Sequence, residues 1–364
     1  MSQPPSAPTP RLRAVLDQLP AYRAGRPAPP GAVKLSANEL PFGPLPGVVE
    51  AATAALASVH RYPDAAAREL VLAIADHLGV PATDVTTGTG SVGLLGQLVA
   101  ITADAGDEIV FPWRSFEAYP IAVALGGARP VPVPVTADGR HDLAAMAAAV
   151  TDATRAVLVC SPNNPTGPAV PAAEFDAFAD AVPADVLIVI DEAYVEFVRE
   201  PGALDGLAAY RRRPNVVVLR TFSKAYGLAG LRVGFAVAHP PVADALRAAA
   251  VPFGVSTPAQ RAAIAALGAE AEMRRRVAAV VAERDRLAAG LRAQGWEVPD
   301  AQGNFVWLAL GVASEEFGAA CEQAGVVVRP YPPDGVRITA AEPEAGDVVL
   351  EVAARWRAAH AGSM

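Results

Sequence analysis

Val186-Leu187-Ile188-Val189-Ile190-Asp191-Glu192-Ala193-Tyr194 is the stretch whose reading decides the fold. It opens with an unbroken apolar run dominated by β-branched residues. A strand with one solvated face alternates apolar and polar positions. This one does not, so it reads as a strand covered on both faces, the setting of a central parallel strand. Two carboxylates follow at once, at the carboxyl end where parallel α/β sheets bind ligands. Similar β-branched runs recur at Glu108–Phe111, Pro130–Val135, Ala156–Val159, Val216–Leu219 and Val233–Val237. Segments with helical spacing, among them Val48–Ser58, Ala65–Leu78 and Ser91–Thr102, accompany them. The pattern predicts an α/β fold with a mostly parallel sheet covered by helices.

Beyond this region the pattern changes. Glu272–Gln294, rich in Arg, Ala and Leu, predicts a long amphipathic helix. Short strands are expected at Phe305–Leu310, Val326–Arg329 and Gly335–Thr339, with a closing helix over Glu344–Ala359. That is a smaller α+β unit. The expected organisation is an N-terminal arm over 1–40 that joins the small domain, a large domain over 41–270 and a small domain over 271–364. Within the arm, Met1–Pro10 reads as a disordered lead and Arg11–Leu19 as a short helix.

Composition narrows the function classes. The chain has 364 residues, 52% apolar and 19% charged, enough to bury a large core. A formal net charge of −8 argues against nucleic acid or an anionic membrane as the main partner. Anionic substrates then require a local cluster of Arg or Lys. The two cysteines, Cys160 and Cys321, sit in apolar runs and read as buried free thiols. The Pro- and Ser-rich start lacks a signal-peptide core, and the apolar runs are too short to span a bilayer. A soluble cytoplasmic protein is expected, with no metal site.

Chemistry gathers at the strand ends. After Ala156–Val159 comes Ser161-Pro162-Asn163-Asn164-Pro165-Thr166-Gly167, and after Val216–Leu219 comes Thr221-Phe222-Ser223-Lys224, then Gly227, Gly230, Arg232 and Gly234. A Gly-rich turn, Thr87-Gly88-Thr89-Gly90-Ser91, precedes a helix. Each alone has a plain reading as turn, cap or solvated lysine. Four such clusters, in this order and each at the end or start of a regular element, point instead to one site.

These motifs resemble the fold type I aminotransferases that use pyridoxal 5′-phosphate (PLP). Within them the chain is similar to the histidinol-phosphate aminotransferase family and its aromatic amino-acid branch. Ala37-Asn38-Glu39, Pro41-Phe42-Gly43-Pro44 and Arg61-Tyr62-Pro63-Asp64 share the likeness, which runs from about Leu19 to Ala354. The resemblance implies that Lys224 holds the cofactor aldehyde, that Asp191 partners the pyridine nitrogen, and that Tyr194 and Asn164 partner the ring oxygen. It implies a phosphate cradle of Ser91, Val92, Ser223 and Arg232, completed by Tyr62 from a second subunit, and hence a homodimer with shared sites. Phe116 would stack on the ring, Arg337 would grip a substrate carboxylate, and Arg329 and Tyr22 would face the far end of the substrate.

The residue types suit those tasks. A lysine must lose its charge to hold an aldehyde, and burial beside other cations achieves this. A helix N-terminus offers free N–H groups to a phosphate. A guanidinium matches a carboxylate in a bidentate way that lysine does not. The implied reaction exchanges an amino acid and a 2-oxo acid, with 2-oxoglutarate as the expected acceptor. Phe111-Pro112-Trp113-Arg114-Ser115-Phe116-Glu117 and Asn304-Phe305-Val306-Trp307-Leu308 look like the aromatic branch and favour phenylalanine. Histidinol phosphate is the alternative. Decarboxylases and C–S lyases share the fold, but a breaker of the Cα–carboxylate bond has less use for Arg337. A regulator built on the same fold would need a DNA-binding domain, for which the chain has no room.

Overall fold

The computed structural model describes residues 10–17, 19 and 27–360. Twelve strands are present among them: β1 (Val33–Lys34), β2 (Val85–Gly88), β3 (Glu108–Trp113), β4 (Arg129–Pro134), β5 (Thr154–Cys160), β6 (Leu187–Asp191), β7 (Val216–Thr221), β8 (Gly234–Val237), β9 (Phe305–Leu308), β10 (Val326–Val327), β11 (Arg329–Tyr331) and β12 (Gly335–Thr339). The helices are α1 (Val48–Leu56), α2 (Arg68–Leu78), α3 (Gly90–Thr102), α4 (Ala118–Gly126), α5 (Leu143–Ala148), α6 (Ala172–Ala181), α7 (Gly206–Arg212), α8 (Pro240–Ala248), α9 (Thr257–Gly268), α10 (Glu270–Ala293), α11 (Ser314–Gln323) and α12 (Pro343–His360).

Seven strands form the main sheet in the order β2-β8-β7-β6-β5-β3-β4. Neighbours from β7 across to β4 run parallel, and β8 is antiparallel to both its neighbours. The apolar run in β6 is explained by its two faces. Ile188 and Ile190 pack into one core with Val157, Val159, Val216 and Val218. Val189 packs into a second core with Leu158, Val217, Leu219, Phe111 and Tyr119. Successive side chains point to opposite faces, and both faces are dry. The prolines Pro130, Pro132 and Pro134 stand in β4, at the edge of the sheet, where a missing N–H costs no ladder bond.

A third core gathers Leu35, Leu287, Leu291, Trp296, Val306, Phe317, Ile338 and Trp356. It lies around the antiparallel sheet β11-β12-β9 and the parallel pair β1-β10. Residues just after Pro30 therefore share a core with the C-terminal elements.

Three local expectations differ from the structure. Over Arg11–Leu19 the described residues form only the 3-10 turn Ala14–Asp17. So short a segment, bounded by Pro10 and Pro20, recovers little of the cost of nucleating a helix. Val326–Arg329 is not one strand: β10 pairs with β1, and after Val328 the chain switches to β12 as β11. Thr87 and Gly88, read as part of a turn, end a strand that pairs with β8. Among the described residues no helix is long and apolar enough to cross a membrane.

Candidate active site

Asp191 ends β6 and is buried against the neighbouring strands. Its Oδ2 accepts a 3.0 Å hydrogen bond from the Tyr119 hydroxyl. Its Oδ1 is buried and has no partner. Burial lifts its pKa to about 6, against the opposing pull of the Tyr119 bond. An unpartnered carboxylate oxygen at such a place asks for a donor, best a charged one. The adjacent Glu192 is a strut. Its Oε1 accepts from the Gly206 amide at 2.7 Å, and its Oε2 pairs with Arg220 at 2.7 Å.

Lys224 follows β7, and its Nζ donates to the carbonyls of Ala37 at 2.9 Å and Asn38 at 3.4 Å. Burial, with Arg337 next and Arg232 and Lys34 adding to it, brings its pKa down to about 7. The amine is thus half-neutral near physiological pH. Tyr194 is buried and accepts a 2.9 Å bond from Asn38 Nδ2, and burial raises its pKa.

The turn from β2 into α3 is shaped by glycine. Gly90 has φ +77°, and a Cβ there would lie 2.6 Å from the Arg232 guanidinium. A Cβ on Gly234 would meet the Ser91 amide nitrogen at 2.7 Å. Only hydrogen at these two positions lets Arg232 and the first turn of α3 come together. The Thr89 side chain makes no cap, so the first amides of α3 remain available. Arg232 itself adopts a left-handed backbone, φ 54°, which a non-glycine residue holds only against strain. Its Nη1 reaches Ser223 Oγ at 3.4 Å and the Ala229 carbonyl at 2.8 Å.

Arg337 in β12 is buried. It donates to Asn164 Oδ1 at 2.6 Å and to the Ser36 carbonyl at 2.7 Å, and its Nε has no partner. Among the described residues it forms no ion pair with a carboxylate. Arg329 in β11 stands opposite Arg337 in the ladder and pairs with Glu117 at 2.9 Å.

One cavity collects Ser91, Val92, Phe116, Asn164, Asp191, Tyr194, Ser223, Lys224, Arg232, Arg329 and Arg337. Phe116 lies in its wall, edge-on to Tyr119 at 5.7 Å. Tyr62 is not part of it: that ring is exposed and stacks on Phe253 at 4.5 Å. Tyr22 lies outside the described residues. Both cysteines are free and buried. Burial pushes the Cys160 thiol, also in the cavity wall, up to about 12, so it stays protonated.

The chain matches the family model of class I and II aminotransferases over residues 30–352. This protein is a class I/II aminotransferase. The aromatic amino acid aminotransferase of Streptomyces coelicolor is 58% identical to it over 352 residues, covering 96% of this chain and 98% of that one. The protein of the same name from Mycobacterium bovis is 52% identical over 351 residues, covering 96% and 99%. Among solved structures, the histidinol-phosphate aminotransferase of Sinorhizobium meliloti in complex with PLP superposes with a TM-score of 0.85, at 32% identity over 96% of this chain and 98% of that one.

In and around this cavity stand further residues to which the sequence reading gave no role. Tyr119 orients Asp191. Asn38 links Tyr194, Thr339 and Asn304. Glu117, Ser36, Lys34 and Tyr331 line the cavity. Tyr119 sits three residues after Phe116, as helical spacing brings together, and that was the available signal. For Asn38 the signal was its place between two residues of a segment already noted for likeness.

Proposed function

We propose that this chain is a PLP-dependent aminotransferase that exchanges aromatic amino acids, phenylalanine foremost, with their 2-oxo acids, using 2-oxoglutarate as acceptor. The observation that carries the cofactor reading is the buried, unpartnered Oδ1 of Asp191 in one cavity with an amine whose charge is already weakened. The names of relatives at 52–58% identity support the aromatic substrate class.

The residues present fit the cofactor. Asp191 offers its free oxygen to a pyridinium N–H. Asn164 and Tyr194 offer polar atoms to the ring oxygen. Ser91, Val92, Ser223 and Arg232 form a cradle for a phosphate, kept open by Gly90 and Gly234. Phe116 supplies an apolar face for the ring. Bound there, PLP supplies an electron sink for the charge left on the substrate Cα. Lys224, uncharged above about pH 7, takes the Cα proton and returns it on the other side of the reaction. Arg337 holds the substrate carboxylate through the donors it keeps free of ion pairs and so fixes which Cα bond faces Lys224.

We assign residues 41–270 to a large PLP-binding domain and 271–364 to a small domain that the N-terminal arm joins. A cytoplasmic homodimer with shared sites follows from the same reading. Supporting it, Tyr62, Phe253, Val251 and Val92 are exposed apolar or aromatic side chains, and Gly254 approaches Thr89 of the phosphate turn. Tyr62 would then reach into the other copy's site.

The test is a comparison of half-reactions. Purified protein loaded with PLP is mixed with phenylalanine or with histidinol phosphate, and the absorbance of the bound cofactor is followed. A larger kcat/KM for phenylalanine is expected. The reverse ranking refutes the aromatic reading, and no response to either refutes the aminotransferase reading.

A further inference from the structure

Three guanidiniums surround the ring of Tyr331: Arg329 at 5.2 Å, Arg337 at 5.6 Å and Arg114 at 5.8 Å. Three cations on one tyrosine would form a strong anion trap. Two of them are already answered. Arg114 pairs with Asp334, and Arg329 pairs with Glu117 at 2.9 Å. Arg337 has only the neutral oxygens of Asn164 and Ser36. Of the three arginines around Tyr331, Arg337 is therefore the one with no carboxylate partner among the described residues, which suits one substrate carboxylate at that end of the cavity.

Arg329 and Arg337 are direct partners in the β11–β12 ladder, so their side chains leave the same face of the sheet. Like charges so placed repel unless one is compensated. Glu117 provides the compensation from a different part of the chain, the segment between β3 and α4. It stands at the N-cap position of α4 but makes no cap bond. Its carboxylate turns instead to Arg329. Both side chains are largely withdrawn from solvent, at 26% and 11% exposure, so the pair is only partly screened. Glu117 also adjoins Phe116, and the two line the cavity together.

We propose that Glu117 determines substrate specificity: by occupying Arg329 it makes the distal end of the pocket reject a dianionic tail and accept an uncharged one. The inference rests on the aromatic aminotransferase reading and adds to it a residue that enforces the choice. A phosphate or phosphonate approaching Arg329 meets the Glu117 carboxylate first and must displace it. A phenyl ring requires no such displacement. A single carboxylate, as on the tail of 2-oxoglutarate, falls between the two.

The experiment uses two ligands that cannot react, 3-phenylpropionate and its para-phosphono derivative. Equilibrium binding to the PLP-loaded protein is read by calorimetry and by the shift in cofactor absorbance. The quantity compared is the ratio of the two Kd values, which cancels effects common to both. In E117Q the phosphono compound should gain on the plain one by tenfold or more. In R329Q the ratio should move the opposite way, because an unanswered carboxylate remains. The double variant should return close to the wild-type ratio, since both charges are gone. Glu117→Asp, with the carboxylate drawn back by one methylene, should shift the ratio in the E117Q direction, so the measurement survives if the glutamine variant does not fold. A ratio within twofold of wild type in E117Q, or shifts of the same sign in E117Q and R329Q, would overturn the proposal. If wild-type protein gives no half-reaction with phenylalanine, the broader reading fails. If it does and the ratios stay fixed, only the role of Glu117 fails.

Discussion

Replacing Arg337 by glutamine is the sharpest perturbation of the catalytic reading. Arg337 is buried, and its two bonds to Asn164 Oδ1 and the Ser36 carbonyl leave its Nε unpartnered. In the variant an entering α-carboxylate would be desolvated without its cation. By analogy with truncated buried charge pairs that costs roughly 2–5 kcal/mol. At about 1.36 kcal/mol per tenfold, kcat/KM for phenylalanine should fall between about 30- and 5,000-fold. Phenethylamine has the same ring and no carboxylate. It should react slowly with the wild type and lose no more than about threefold in the variant, because the term removed was never used. The assay is single-turnover reaction of the PLP-loaded protein followed by absorbance, with a thermal melt run on both proteins. Equal losses for phenylalanine and phenethylamine would mean that Arg337 only braces Asn164 and the Ser36 segment, and the carboxylate assignment would be refuted.

Asp191→Asn should fold normally, since an amide oxygen still accepts the Tyr119 bond, but turnover should drop by about 100-fold or more; near-wild-type turnover would show that another acid does its work. Capture of added PLP by the cofactor-free protein should speed up as pH rises through about 7, the pKa of Lys224, and level off above it. The sign follows from the amine: protonated below that value, it cannot attack, and a midpoint near the ordinary lysine value of about 10.4 would contradict the burial argument. Sedimentation should give a dimer, and a mixture of inactive Lys224→Ala and Tyr62→Ala subunits should regain activity through one intact hybrid site; a monomer would sink the shared-site reading.

The main sheet was legible because dry strands leave a compositional mark. Val186–Ile190, Val216–Leu219 and Ala156–Val159 are apolar at consecutive positions, and each is found in the sheet within a residue or two of its expected ends. The C-terminal strands were harder. Val326–Arg329 is uniformly favourable for a strand, and nothing local marks Val328 as the point where pairing passes from β1 to β12. That choice belongs to long-range contacts. β2 was missed because Val85-Thr86-Thr87-Gly88 is short and merges with a glycine-rich turn. At the site, Lys224, Asp191 and Asn164 stood out through motif and strand-end position, and Arg337 through the family resemblance alone, since it sits in the middle of β12. Tyr119, Asn38 and Glu117 did not, because what marks each is a bond to another side chain distant in sequence. A tyrosine that steadies an aspartate looks the same in sequence as any aromatic on a helix. The Glu117–Arg329 pair joins residues 212 positions apart and is visible only once the chain is folded.

Asp191 and Glu192 are neighbours in sequence with opposite assignments. The pleat turns one toward Tyr119 and the cavity, the other toward Arg220 and the start of α7. Adjacent residues thus take separate sets of partners, and each can be altered without editing the other. Substitution at Asp191 tests chemistry on an intact scaffold, and substitution at Glu192 tests the scaffold beneath an intact carboxylate. The division also makes β6 intolerant of length change. Loss of a single residue within it would bring Glu192 to the position of Asp191 and Ala193 to the position opposite Arg220, and gain of one would bring Asp191 opposite Arg220 and an apolar side chain to the cavity.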